Sequence, residues 1–256
     1  MALGACATTT SPQGRMQLTV PTPISAVYSE ADMRLQLVGG MDSDPCVGME
    51  CHLNRAFDQR VMRLGNRLAQ SAFETYPDLA ERISRFDIFI AEKAEPGSAS
   101  SAAGTIVIFR GVQKLHLDEE ALAFLIAREM GHVIARHHEE NTSARILFSA
   151  LAQILFPFAN LVNGSALLVQ TASASATTAA ISTAASFVGS KLVIESYKED
   201  QMKEGDAIAL DLLARQGWPE EEITVALKPG TRIAGESKWS QDLRISSGRI
   251  VGIAAN

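Results

Sequence analysis

The chain of 256 residues has no run of five or more basic residues, and its 23 Lys and Arg against 29 Asp and Glu leave a formal charge of -6. That balance excludes the basic footprint of a nucleic-acid-binding surface. Aromatics are scarce, with 2 Trp, 3 Tyr and 10 Phe, while Ala, Ser and Thr are common; this disfavours an all-β fold and favours close helix packing. No phosphate loop, no Gly-x-Gly fingerprint between a strand and a helix, and no Ser-His-Asp arrangement is legible. Histidine is limited to 5; none lies beyond His138, and no two stand four residues apart. Of the 3 cysteines, Cys46 and Cys51 are near enough for a local disulfide, though two free thiols fit equally, and with His52 they make only a weak zinc signal.

What is present organises the chain into two parts. Residues 1–45 read as a tether and irregular N-terminal segment. Leu3-Gly4-Ala5-Cys6 looks like the lipobox of a bacterial lipoprotein, with Cys6 as the lipidated residue; the residues ahead of it are too few for a signal peptide, so a full leader is expected upstream. The Thr, Ser, Pro and Gly that follow suit a flexible tail. Residues 46–256 read as one domain. Phe57, Val61, Leu64, Leu68 and Ala72 recur at helical spacing, predicting a helix over 54–72. Phe86 to Ile90 and Thr105 to Phe109 read as strands, with small residues Ser98 to Gly104 between them. Asp118 reads as the N-cap of a helix running to about Glu140, with Glu119 and Glu120 at its positive end. No charge occurs from Ile146 to Ser190. The length permits a membrane span, but Gln153, Pro157, Asn160, Asn163 and Gly164 interrupt it, and a helical hairpin that does not cross a bilayer fits better. A helix over 191–215, stopped by Gly217, and a short one from Pro219 complete the reading.

The segment with chemistry in it is Arg128-Glu129-Met130-Gly131-His132-Val133-Ile134-Ala135-Arg136-His137. In the pattern H-E-x-x-H, two imidazoles one helical turn apart hold zinc, and the Glu polarises the zinc-bound water as general base. Here the Glu and the second His stand, and the first His is Arg128. With its flanks the segment resembles the HtpX/Ste-type zinc metallopeptidases, whose pattern is H-E-x-G/A-H-V-x-x-R-H; Gly131, Val133, Arg136 and His137 match. Asp118 to Leu125 resembles that family's E-A-E-L-A-x-V-L run, and Gly14-Arg15 after Cys6 is similar to the start of its BepA/LoiP-like periplasmic lipoproteins. The resemblance covers about residues 50–250.

The resemblance implies an α+β, mainly helical zincin (gluzincin-like) fold with a small mixed sheet. It places Glu129 at the general-base position and His132 at a retained zinc-ligand position. In Y-S-R-x-x-E-x-E-A-D, Tyr197, Glu204 and Asp206 match, Glu204 and Asp206 standing behind the ligands, but the ligand Glu falls on Met202. In S-H-P-x-x-D-x-R-I, Ser237, Asp242, Arg244 and Ile245 match, and the His is Lys238. The segment N-A-F-A-x-P-G-G along the substrate edge is replaced by Gly97 to Gly104. Guanidinium cannot ligate zinc, and a thioether is a poor substitute for a carboxylate. Arg128 and Met202 are therefore lost ligand positions, and any rescued zinc site needs Glu199, Glu204 or Asp206. His137 and His138 read as structural or surface groups.

The reading is thus a pseudopeptidase without cofactor: an outer-membrane-anchored periplasmic lipoprotein with a chaperone or quality-control role, whose partners are envelope proteins and the membrane, through its lipid, and not nucleic acid. Two alternatives stand beside it. One is a zinc metalloendopeptidase with rearranged ligands; the other is a membrane-associated structural module built on the uncharged segment. Arg128, as an i, i+4 neighbour of His132, is expected to face the same cleft and pair with Glu204 or Asp206.

Overall fold

The computed structural model describes residues 6–38, 46–155, 194, 198–233 and 235–253. The fold is α+β and mainly helical. Its N-terminal part is a hairpin of β1 (Ala7–Thr10) and β2 (Met16–Thr19), followed by α1 (Thr22–Val38). The expectation of irregular structure through residue 45 is therefore corrected. The reason lies in long-range partners. Gln17 and Thr19 point inward from β2, Ser25 and Ser29 from α1, and all four are buried against the body of the molecule. Cys46 and Cys51 form a disulfide at the start of α2 (Met49–Thr75).

The apolar stripe read from the sequence is the buried face of α2, with Val61, Leu64, Leu68 and Ala72 fully enclosed. The helix extends a few residues beyond the stripe at each end, because its termini need no apolar face to propagate. Tyr76 and Pro77 end it in a 3-10 turn, Pro77–Glu81. A mixed sheet follows, of β3 (Asp87–Ala91), β4 (Ser98–Ser100) and β5 (Thr105–Phe109), in the order β3-β5-β4. β3 runs parallel to the central β5, and β4 runs antiparallel to it. β4 was not expected: three residues of Ser and Ala carry no alternation, and the strand exists because β5 offers it an edge.

α3 (Glu119–Ile134) crosses the middle of the molecule, and 12 of its 16 residues are buried. Asp118 stands at its N-cap without a side-chain hydrogen bond, so its contribution is electrostatic. The helix does not run on to Glu140. It ends at Ile134, Arg136 takes φ 59, and α4 (His137–Leu155) starts afresh. Carbonyls at the end of α3 find side-chain donors from distant residues: Arg82 donates to those of Val133 and Ile134, and Gln17 to that of the C-cap residue Ala135.

A helix over residues 198–215, α5, meets α3 where Arg128 faces Asp206 and meets α4 where Gln201 donates to Glu140. Gly217, at φ 87, ends it as expected. Then come α6 (Glu220–Leu227) and α7 (Lys238–Ile253), the latter unforeseen because its mixed polarity shows no clear stripe. Among the described residues no helix is long and apolar enough to cross a membrane. The expected hairpin over 146–190 lies outside the described residues beyond Leu155.

Candidate functional site

Where α3 crosses α5, two glycines meet. A Cβ on Gly131 would come within 2.7 Å of the Gly205 carbonyl oxygen, so the backbones touch with no room for a methyl group. The close crossing puts Arg128 of α3 against Asp206 of α5, with Nε and Oδ1 3.0 Å apart, both side chains being buried. The contact is an ion pair without good hydrogen-bond alignment. Arg249 of α7 reaches the other Asp206 oxygen at 3.3 Å. Burial pushes the Asp206 carboxyl up, while Arg128 and Arg249 pull it back toward ionisation. Of the two partners expected for Arg128, it takes Asp206. Met202, one turn before Asp206, is buried.

The second cluster begins at His132. The break at Arg136 turns His137 toward His132, Nδ1 to Nδ1, at 2.7 Å. In a continuous helix residues five apart would point about 140° away from each other. His137 Nε2 lies 3.0 Å from Glu204 Oε2. Glu204 also accepts from Ser11 and from Arg15, at 3.2 and 2.9 Å. Arg15 grips Glu140 with both terminal nitrogens, at 2.6 and 2.7 Å, and Gln201 donates to Glu140 at 2.8 Å. Enclosure pushes His132 well below the usual histidine value; His137 is lowered by burial against the opposing pull of Glu204. Burial holds the Glu204 carboxyl up, but hydrogen bonds from His137, Arg15 and Ser11 outweigh it and bring it down to about 2. With both rings neutral, the protons have one arrangement. A carboxylate only accepts, so His137 Nε2 carries a proton; His137 Nδ1 accepts from His132 Nδ1, which leaves His132 Nε2 as the unprotonated nitrogen.

The third cluster surrounds Glu129. Ser98 and Ser100 of β4 donate to its two carboxylate oxygens, each at 2.7 Å. Trp239 of α7 donates to Ser98 at 2.8 Å, and His138 Nε2 lies 3.1 Å from the Ser100 hydroxyl. Burial lowers the His138 value to about 3, so its neutral ring donates to Ser100, which donates to Glu129. His137 and His138 are thus linked into the site, and neither is a surface group.

The structure brings Arg128, Glu129, His132, Met202, Glu204 and Asp206 to one crossing of α3 and α5. It keeps Glu199 away, exposed and paired with Lys203 at 2.7 Å. Lys238 opens α7, and that helix is tied to α5 by Lys198 and Asp242 at 2.7 Å. Cys6 is free and directly precedes β1. Sequence reasoning missed Ser11, Arg15, Ser98, Ser100, Glu140, Trp239 and Arg249. Arg15 carried a signal in its likeness to the start of the lipoprotein members, and Ser98 and Ser100 lay in the segment matched to the substrate edge, but neither signal gave them a role. Two clefts, of about 580 Å³ beside the disulfide and about 350 Å³ behind the β1–β2 hairpin, contain neither Glu129 nor His132.

The donor set decides what the crossing can hold. Of the zinc-ligand positions implied by the resemblance, His132 alone offers a lone pair; Arg128 brings a fixed cation and Met202 a neutral thioether. The nearby carboxylates of Glu204 and Asp206 are spent on arginines and a histidine. These residues do not fit zinc. Among the described residues no three His, Cys, Asp or Glu are placed to hold a metal ion. Comparison with curated proteins and with solved structures found no match. The crossing of α3 and α5, strands β4 and β5 and the Glu129–His132 pair all lie inside residues 97–243, more than half of the chain, which match the model of peptidase family M48; the chain belongs to that metallopeptidase family.

Proposed function

We propose that this member of the family is a pseudopeptidase, retaining the peptidase fold for binding and not for hydrolysis. The observation that carries the reading is the buried Arg128–Asp206 pair, with Arg249 behind it, where a ligand pair would need neutral or anionic donors. A permanent guanidinium there repels a divalent cation and fills its coordination volume. The two serines on Glu129 support the same reading, because they fix both of its carboxylate oxygens onto β4 where a general base would turn one toward water. In this reading the protein is a periplasmic lipoprotein, anchored in the outer membrane through Cys6, that binds envelope proteins in quality control. With β1 starting at Ala7, such an anchor would hold the domain close to the bilayer without a long tether.

Elemental analysis of purified protein tests the central statement, with much less than one zinc per chain expected. A stoichiometric zinc, together with chelator-sensitive peptide cleavage abolished by Glu129→Gln, would establish a metallopeptidase with rearranged ligands instead. For the anchor, mass spectrometry should find a diacylglyceryl group on Cys6 of the mature protein, and an unmodified Cys6 sinks it.

A further inference from the structure

The N-terminal unit is built inside out. β2 turns Gln17 and Thr19 inward and leaves Met16 and Leu18 outside. α1 buries Ser25, Ser29 and Met33, while Ile24, Val27, Tyr28, Leu35 and Val38 are 37, 70, 43, 74 and 76 % exposed. An amphipathic helix packed on a domain normally does the reverse.

The outward residues follow a rule. Ile24, Tyr28, Ala31, Leu35 and Val38 are spaced 4, 3, 4 and 3, the heptad seam by which one helix receives another. The seam is also symmetric about Ala31: Ile24 and Val38 lie seven residues to either side, and Val27 and Leu35 lie four to either side. An antiparallel copy with its two-fold axis at Ala31 sets Ile24 on the partner's Val38, Val27 on the partner's Leu35, and the Tyr28 ring under the partner's Arg34, a cation–π contact. The small Ala31 meets itself where the helices come closest. The exposed area of this stripe is roughly 600 Å² per copy, so two copies can bury at most about 1,200 Å², the lower end of a specific interface. A lipid surface fits less well, since the flanks of α1 carry Glu30 and Asp32 against Arg34 and lack the basic face of membrane-surface helices.

We infer that α1 is a dimerisation helix, occupied in the assembled protein by α1 of a second copy in antiparallel arrangement. The test uses the full chain, with Cys6→Ser to remove the other free thiol. Light scattering should give twice the chain mass of 27.5 kDa, and Leu35→Glu should return it to the monomer with an unchanged circular dichroism spectrum, the residue being exposed. Under mild oxidation Ala31→Cys should cross-link to itself. Val27→Cys should not, but should cross-link when mixed with Leu35→Cys. A monomer at every concentration overturns the inference, and so does a dimer that survives Leu35→Glu. Self-cross-linking at 27 and 35 as readily as at 31 overturns the antiparallel arrangement. A monomer that sediments with phosphatidylcholine or phosphatidylglycerol vesicles, and loses this with Leu35→Glu, assigns the face to lipid and overturns the second copy.

Discussion

Arg128 holds a charge where burial makes charge costly, and Asp206 makes that tolerable. Removing one partner of a buried pair leaves the other unpaired, at about 3–5 kcal/mol; because Arg249 still reaches Asp206, Arg128→Ala should lie at the low end, about 3 kcal/mol by urea unfolding. A loss below half a kcal/mol would mean the pair holds nothing together. Arg128→His alone should not bind zinc, because Met202 still supplies no anion; with Met202→Glu added, elemental analysis should find close to one zinc per chain, and an intact fold without zinc would show that the crossing has closed beyond repair. The histidines set the pH response. His132, His137 and His138 all have folded values below their unfolded ones, so between the two values the unfolded chain binds more protons. Stability should be level above pH 6.5 and fall as the pH drops below it, by at most about 1.4 kcal/mol per pH unit for each histidine. Glu204, lowered to about 2, adds a second loss between its ordinary value near 4.5 and that point. A urea midpoint unchanged between pH 7.5 and 5.5 would contradict the first window.

At the scale of elements, α3 and α5 are positioned by the contact of Gly131 with Gly205. A methyl group at 131 meets a carbonyl oxygen of a packed helix, which cannot swing aside as a side chain can. Gly131→Ala should therefore cost about 3 kcal/mol, the upper part of the range for overpacking. Gly248→Ala in α7 meets nothing within 4 Å and should instead stabilise by about 0.5–1 kcal/mol, since glycine weakens a helix interior. If thermal unfolding ranks the two in the opposite order, the crossing is not as tight as described. These elements also show what a sequence discloses. α2, β3, β5 and α3 were legible because a local period writes burial into the chain, as with Phe57 to Ala72. Glu129, His132, Met202 and Asp206 were placed by a motif that keeps its spacing even where its residues have changed. β4, α7 and the break at Arg136 had no such signal. Ser98 to Ser100 becomes a strand only beside β5, and the turn at Arg136 is fixed by what His137 finds across it. The polar inward face of α1 hid it altogether, because periodicity is read from apolar residues.

Across the whole molecule, Arg15 joins the first strand pair to the site through Glu140 and Glu204, 125 and 189 residues away. Contacts of such separation form late, because the loop must close before they give anything back. Arg15→Ala should therefore speed unfolding several-fold and leave the refolding rate nearly unchanged, as read from the two arms of a denaturant kinetic series. An equal effect on refolding would place the hairpin in the folding nucleus. Synthesis proceeds from the end that carries Arg15. At about 5–20 residues per second, Glu204 leaves the ribosome roughly 10–40 s after Arg15 does. For that interval the hairpin and α1 exist while part of their docking ground is still unmade. The lock between Arg15 and Glu204 can close only once α5 has been made, so the first strand pair waits on a helix 189 residues further along.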